Sequence, residues 1–312
     1  MNKVKKIIWD NFPFVRKVYS HYITHFYKRL YEKSPRLAAE TYYANIHNGK
    51  KPDLDNPKTL EEKNIWLALN TDTSMWSVLS DKYEVRNYVK ECGLAHILNE
   101  LYGKWDHIDD IDFSLLPNEF VIKANNSCET VLIVKNKNEL DVNEAKKKIN
   151  SWFKGLPYGY IGYNGHYLHI KPCIIAEKLL HDSKSKDLPI DYKFFCSYGE
   201  AFCCAVMQER TVGTHDKRTT FFDSDWNVIY DDNKINRGEL LSKPKSYDEM
   251  IQYCYRLAKD FALVRVDFYE IDGEPIFGEM TFTSGVDIFT DELNRDLGKY
   301  IDLSQERGKF NA

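Results

Sequence analysis

The 312-residue chain contains no apolar run approaching the ~20 residues that a bilayer crossing requires. Its first residues also lack the apolar stretch and small-residue cleavage site of a secretory signal, so a cytosolic protein is expected. The seven cysteines are odd in number and include no C-x-x-C pair and no dense block. That excludes a stapled secreted scaffold and predicts reduced thiols. The nine histidines are scattered, and none stands at metal-ligand spacing from a cysteine. Internal repeats and low-complexity blocks are missing too. What is present is 43% hydrophobic and 29% charged, with a mean hydropathy of -0.53. This is a globular composition with a sizeable core, arranged as one large domain or two to three lobes.

Charge is unevenly spread. Residues 1–37 hold nine Lys or Arg against Asp10 and Glu32, so this segment is +7 in a chain of net charge -4, and the remainder is -11. Between Lys3 and Leu37 the apolar residues recur at roughly helical spacing, which predicts amphipathic helices. Their basic face is either simply solvated or placed against an anionic membrane. Lys3, Lys5, Lys6, Arg16, Lys17, Lys28 and Arg29 would each contribute about 1 kcal/mol near such a surface. No nucleic-acid partner is expected.

Pro52 and Pro57 mark a linker, after which Thr59 and Glu62 form a capping-box signature opening a helix to about Leu69. Ser80 or Asp81 can cap a second helix that carries Lys82 and Arg86 on one face and ends at Gly93. Strands are then predicted over Phe120–Lys123, Val131–Val134 and Pro172–Glu177, with a helix from about Val142 to Phe153. Further strands follow at Tyr192–Ser197, Ala201–Gln208, Leu263–Glu270 and Ile276–Phe282, with a helix near Tyr247–Lys259. Strand pairs on short turns imply antiparallel sheets and an α+β class.

The chemistry concentrates in the hairpin around Asp272-Gly273. Arg265 and Asp267 share one strand face, while Val264, Val266 and Phe268 share the other. On the return strand Glu279, Thr281 and Thr283 form the polar set. A three-residue loop, Ile271-Asp272-Gly273, would pair Glu270 with Glu274, set Phe277 opposite Asp267 and leave Glu279 diagonal to Asp267 on the same side. A two-residue turn would put the carboxylates on opposite faces. Two carboxylates beside Arg265 suit Mg²⁺, which takes a few carboxylates plus phosphate oxygens; an ordinary solvated hairpin is the alternative. Lys123 leads into Asn125-Asn126-Ser127, whose backbone N–H groups could meet a phosphate. Lys193, inside an apolar strand, needs a partner. The polar segment Thr211 to Arg218, with His215, reads as a lid or acceptor loop or as a plain connection. The rings between Tyr158 and Tyr167 read as core packing or as a sugar-stacking platform.

In order, Leu60-Glu-Glu-Lys-Asn-Ile-Trp66, Ser80-Asp-Lys-Tyr-Glu-Val-Arg86, Phe120-Val-Ile-Lys123, Ile175-Ala-Glu-Lys-Leu179, Asp191-Tyr-Lys193, Arg265-Val-Asp267 and Phe277-Gly-Glu-Met-Thr281 resemble the ATP-grasp enzymes. The resemblance is to the TupA-like, teichuronopeptide-biosynthesis branch found with bacterial surface-polysaccharide genes, and it runs from about Asn56 to Leu303. It implies an ATP-grasp fold with two α+β lobes around a nucleotide cleft, preceded by the basic helical segment. The implied division is 1–76 for that segment, 77–178 for the smaller lobe and hinge, and 179–312 for the larger lobe.

It further implies ATP and Mg²⁺ as cofactors and a ligase joining a carboxylate to an amine on a surface-polysaccharide precursor. A nucleotide-sugar glycosyltransferase and a non-catalytic membrane-associated homologue are the alternatives. By the same resemblance Arg86 and Lys123 contact ATP phosphates, the backbone of Glu177, Lys178 and Leu179 holds adenine, and Asp191 or Lys193 lies near the ribose and phosphates. Arg210 stabilises the transferring phosphoryl group or the acceptor, Asp267 and Glu279 are the metal carboxylates, and Arg265 joins Lys123 and Arg210 in supplying the positive charge that the implied reaction needs. The chain departs from the family at Asn126-Ser127-Cys128-Glu129, where a glycine-bearing phosphate loop is usual, and at Thr281, where many ATP-grasp ligases have Asn.

Overall fold

The computed structural model describes residues 13–128, 130–182, 188–208, 218–231, 241–284 and 289–310. A long helix α1 (Pro13–Lys33) gives way at Ser34, whose side chain accepts the Leu37 N–H, to α2 (Pro35–Ile46) with Pro35 in its first turn. These helices are part of the folded body. Tyr27, Ala38, Ala39 and Tyr43 are buried, Tyr31 meets Tyr160 edge to face at 5.8 Å, and Tyr42 meets Tyr163 at 6.4 Å. Those rings are therefore packing surfaces for the N-terminal helices, as one of the two sequence readings had it.

The capping box of α3 (Leu60–Asn70) forms as expected. Glu62 also accepts from the backbone N–H of Asp53 and Lys58, at 3.0 and 3.1 Å, and so fastens the Pro52–Pro57 linker to the helix. After α4 (Ser74–Ser80), Asp81 Oδ1 accepts the Tyr83 and Glu84 N–H groups ahead of α5 (Val85–Glu91). Gly93, at φ +70°, lets the chain leave α5 in the left-handed region that other residues resist.

The smaller sheet is antiparallel with order β1-β4-β2-β3, from β1 (Leu101–Trp105), β2 (Phe120–Ala124), β3 (Val131–Val134) and β4 (Ile174–Glu177). Phe120, Ile122, Ile174 and Ala176 cluster with Ala145 and Ile149 of α6 (Val142–Trp152), which leaves Lys123 and Glu177 on the opposite face. The larger sheet has order β10-β9-β5-β6-β7-β8, all antiparallel: β5 (Asp191–Ser197), β6 (Glu200–Gln208), β7 (Arg218–Phe222), β8 (Val228–Asp231), β9 (Val264–Ile271) and β10 (Glu274–Thr281). Helix α7 (Tyr247–Ala258) covers its apolar face with Tyr247, Met250, Cys254 and Leu257, against Phe194, Cys204, Val266 and Phe268. Two helices close the chain, α8 (Asp291–Gly298) and α9 (Ser304–Phe310).

Strands β1, β7 and β8 were not anticipated. In Leu101–Trp105 polar and apolar residues do not alternate cleanly, and all of Arg218–Phe222 is buried, which erases the period-two signal. The seven cysteines are thiols, as expected.

Candidate active site

The polar face of the larger sheet is set by alternation along three neighbouring strands. Lys193 is paired across the ladder with Asp267, and Asp191 with Tyr269. The Lys193 ammonium contacts Asp267 Oδ2 and lies 2.7 Å from Asp191 Oδ2, so the lysine buried in an apolar strand has the partners it requires. Arg265 forks onto the same carboxylate, Nε to Oδ1 at 2.7 Å and Nη2 to Oδ2 at 2.8 Å. Nη2 also lies 2.9 Å from Glu279 Oε1 and 3.0 Å from Thr281 Oγ1, and that hydroxyl donates to Glu279 Oε1 at 2.9 Å. Thr281 thus joins the carboxylate network.

The expected three-residue loop does not form. Ile271 pairs with Glu274 across a two-residue Asp272-Gly273 turn, with φ values of +54° and +90°. On an unbroken ladder that turn would set Gly278 opposite Asp267 and send Glu279 to the other face. A β-bulge between Phe277 and Glu279 absorbs Gly278 as the extra residue, and Glu279 lies directly opposite Asp267. A Cβ on residue 278 would stand 3.0 Å from the Asp267 carbonyl oxygen, so the close approach favours glycine. The carboxylates share a face through a different register from the one anticipated.

Lys123 comes from β2 of the smaller sheet and Arg86 from α5, whose Val85 and Val89 pack in the core of the larger sheet. Both hold Glu177: Lys123 Nζ to Oε2 at 2.8 Å, and Arg86 Nη1 to Oε1 at 3.0 Å. Burial opposes the charge on Lys123, but Glu177, Tyr269 and Glu279 outweigh it and raise its pKa. Two of those groups belong to the larger sheet, so Lys123 faces the Asp267–Glu279 surface. Burial pushes Asp267 upward, against Arg265 and Lys193. For Glu279 burial also acts upward, but Lys82, Arg265 and Lys193 prevail and draw its pKa down to about 2.

Beyond Glu177, the Lys178 N–H donates to Glu100 O and its carbonyl accepts from Asn99 Nδ2, both at 2.9 Å, and Leu179 is buried. Asn125, fully buried, anchors the loop after β2. Its Oδ1 accepts the Cys173 N–H at 2.7 Å, and its Nδ2 donates to Asp81 Oδ2 at 2.8 Å and to Lys171 O at 2.9 Å. Rigid hydrogen bonding thus organises a loop that lacks glycine. Arg210 and His215 lie outside the described residues.

Sequence reasoning missed two members of this site. Lys82 reaches the loop and Glu279, and its only signal was a position one helical turn before Arg86. Tyr167 is half-buried, with its pKa raised by desolvation and by Glu279; it stands in a run of aromatics where nothing singles it out.

Two hard carboxylates directly opposed on neighbouring strands, with the Thr281 hydroxyl on Glu279, fit an ion that takes one or two carboxylates and completes its shell from phosphate. The family model TupA-like ATPgrasp matches residues 62–302. The chain belongs to the TupA-like ATP-grasp family. ATP-grasp enzymes use ATP and Mg²⁺.

Among solved structures the chain is similar to D-alanine–D-alanine ligase from Bacillus anthracis complexed with ATP, at 13% identity over 84% of this chain and 76% of that one, TM-score 0.47. It is similar to an L-amino acid ligase from Bacillus licheniformis, at 14% identity over 73% and 49%, TM-score 0.46. It is also similar to the ATP-grasp ligase PsnB complexed with minimal precursor, at 11% identity over 76% and 63%, TM-score 0.43. The chain therefore spans from about half to three quarters of the length of these proteins. No curated protein matches it.

Proposed function

We propose that this TupA-like ATP-grasp protein is an ATP-dependent carboxylate–amine ligase acting on a bacterial surface-polysaccharide precursor. The observation that carries the ligase reading is the convergence of Asp267 and Glu279, with Lys193 and Arg265, on the surface that Lys123 faces from the other lobe. The polysaccharide assignment is supported by family membership. In this reading 1–76 is the helical segment, 77–178 the smaller lobe and hinge, and 179–312 the larger lobe.

A substrate carboxylate attacks the γ-phosphorus of ATP, the bond to the β-phosphate oxygen breaks, and ADP leaves with an acyl phosphate formed. A neutral amine then adds to the acyl carbon and expels phosphate, leaving an amide. The difficulty of the first step is bringing two anions together, and fixed positive charge is what relieves it. Lys123 and Arg86 hold phosphate oxygens, as Lys193 does from β5, with Asp191 near the ribose. Arg265 and Arg210 meet the charge that develops on the transferring group. Adenine lies along the backbone of Glu177, Lys178 and Leu179; with both Lys178 backbone groups engaged, its contacts come from the flanking residues. Mg²⁺ on Asp267 and Glu279 would neutralise the phosphate oxygens. Residues 1–37 contact anionic lipid at the inner face of the cell membrane.

The test is ADP release from Mg·ATP with pooled amino acids, amines and uronic acids. Glu279→Gln is the cleaner probe, because this side chain is partly exposed. Asp267→Asn removes charge from beside two buried cations and costs about 3–5 kcal/mol of stability. Each variant should lower turnover by roughly two to three orders of magnitude. Unchanged turnover in folded Glu279→Gln would refute the metal assignment, and release of a nucleoside diphosphate from a sugar nucleotide instead would refute the ligase.

A further inference from the structure

The turn ahead of α5 grips the loop after β2 at several points. The Lys82 N–H donates to Asn125 O at 3.2 Å, and Asp81 Oδ2 takes the Asn125 amide. Lys82 Nζ donates to the carbonyl of Ser127 at 2.9 Å. The same ammonium stands 3.8 Å from Glu279 Oε2. The other oxygen of that carboxylate, Oε1, already accepts from Arg265 and Thr281. Glu279 therefore offers one less committed oxygen, and a lysine faces it. The first two contacts of the grip join short, buried groups. The third hangs on a flexible four-carbon stem that is one-fifth exposed, and it can let go without moving the backbone.

We propose that Lys82 is a resident counter-ion of Glu279 that competes with the divalent metal for Oε2, so that metal binding displaces its ammonium and releases the Ser127 carbonyl it holds. A divalent ion at Oε2 would repel the Lys82 ammonium beside it more strongly than the singly charged Lys193 and Arg265 repel each other at Asp267 Oδ2. Displacement would leave the head of the loop pinned through Asn125 and free its Ser127 end, so the chain couples occupation of the metal carboxylates to opening of the segment that meets phosphate. This rests on the reading of Asp267 and Glu279 as metal carboxylates. Lys82 acts here as a positioning residue.

The full chain is titrated with Mn²⁺ alone, with no nucleotide, and bound metal is read by electron paramagnetic resonance. Lys82→Met keeps the apolar stem and removes the charge, and should bind Mn²⁺ roughly two- to tenfold more tightly than the unaltered protein. Glu279→Gln should weaken Mn²⁺ in both backgrounds and erase the difference between them. In the unaltered protein, Mn²⁺ should raise amide hydrogen exchange in the peptide spanning 125–128, and Lys82→Met should show the raised exchange without metal.

Equal or weaker Mn²⁺ binding in Lys82→Met, with Glu279→Gln still impairing it, would overturn the counter-ion role alone. Mn²⁺ binding indifferent to Glu279→Gln would overturn the metal assignment and this inference with it. Should Lys82→Met not fold, the exchange measurement on the unaltered protein decides, and exchange unmoved by bound Mn²⁺ is the adverse result.

Discussion

Asn125 shows how much one side chain can organise. It carries three side-chain hydrogen bonds with no solvent exposure, one of them to the Asp81 carboxylate. Asn125→Ala would leave the Cys173 N–H and an Asp81 oxygen without their partner, at about 2–4 kcal/mol. Urea denaturation should register that loss, and nucleotide binding should weaken with it because the loop head is no longer pinned. His166 makes a second prediction. It is buried against Trp76 and Tyr167, and burial, with a smaller effect of His169, lowers its pKa to about 3. Its ordinary value is 6.5, so between pH 6.5 and 3 the unfolded chain binds a proton that the folded chain refuses. Stability should fall with acidification across that window, by up to ~1.4 kcal/mol per pH unit. The lowered pKa of Glu279 adds its own loss only below about pH 4.5. Denaturation at pH 7, 6 and 5 should show the decline, and His166→Phe should flatten it.

Among the elements, the β9–β10 hairpin carries the most consequence. The turn chemistry of Asp272-Gly273 favours a two-residue connection, and on that connection alone the carboxylates would part. The bulge at Gly278 reverses the outcome. Gly278→Val would crowd the Asp267 backbone and favour a regular ladder, in which Glu279 turns away from Asp267. Divalent-metal binding measured by calorimetry should be lost, at a stability cost of about 1–3 kcal/mol. Retained metal affinity in this variant would show that the bulge does not set the site. The α3 capping box is the counterpart whose sequence signature needed no correction, because both its bonds lie within three residues of each other.

For the whole molecule, the two sheets present cations and carboxylates to one another, and the N-terminal helices pack on the aromatic segment 158–163. That packing already employs some of the N-terminal basic residues: Lys28 contacts Glu32 and Tyr160, and Arg36 contacts Glu40 and Asp55. Among the described residues no helix is long and apolar enough to cross a membrane. The lipid contact proposed for residues 1–37 rests on their basic side chains. Replacing Lys3, Lys5 and Lys6 by Ser should reduce co-sedimentation with phosphatidylserine vesicles and leave binding to neutral vesicles unaltered. Equal binding to both vesicle types by the unaltered protein would refute the lipid contact.

Sequence by itself determined what depends on near neighbours: the capped start of α3, the end of α5 at Gly93, the alternation that puts Arg265 and Asp267 on one face, and the ordered motifs that mark the family. Each follows from propensity or periodicity within a few residues. Tertiary structure decided where Glu279 points, which groups hold Asn125, and that Lys82 spans the loop after β2 and a carboxylate on β10. A bulge is located by contacts across the ladder, and an ion pair between residues 82 and 279 exists only once distant segments pack together. Local patterns fix the faces, and the packing of distant segments fixes what those faces confront.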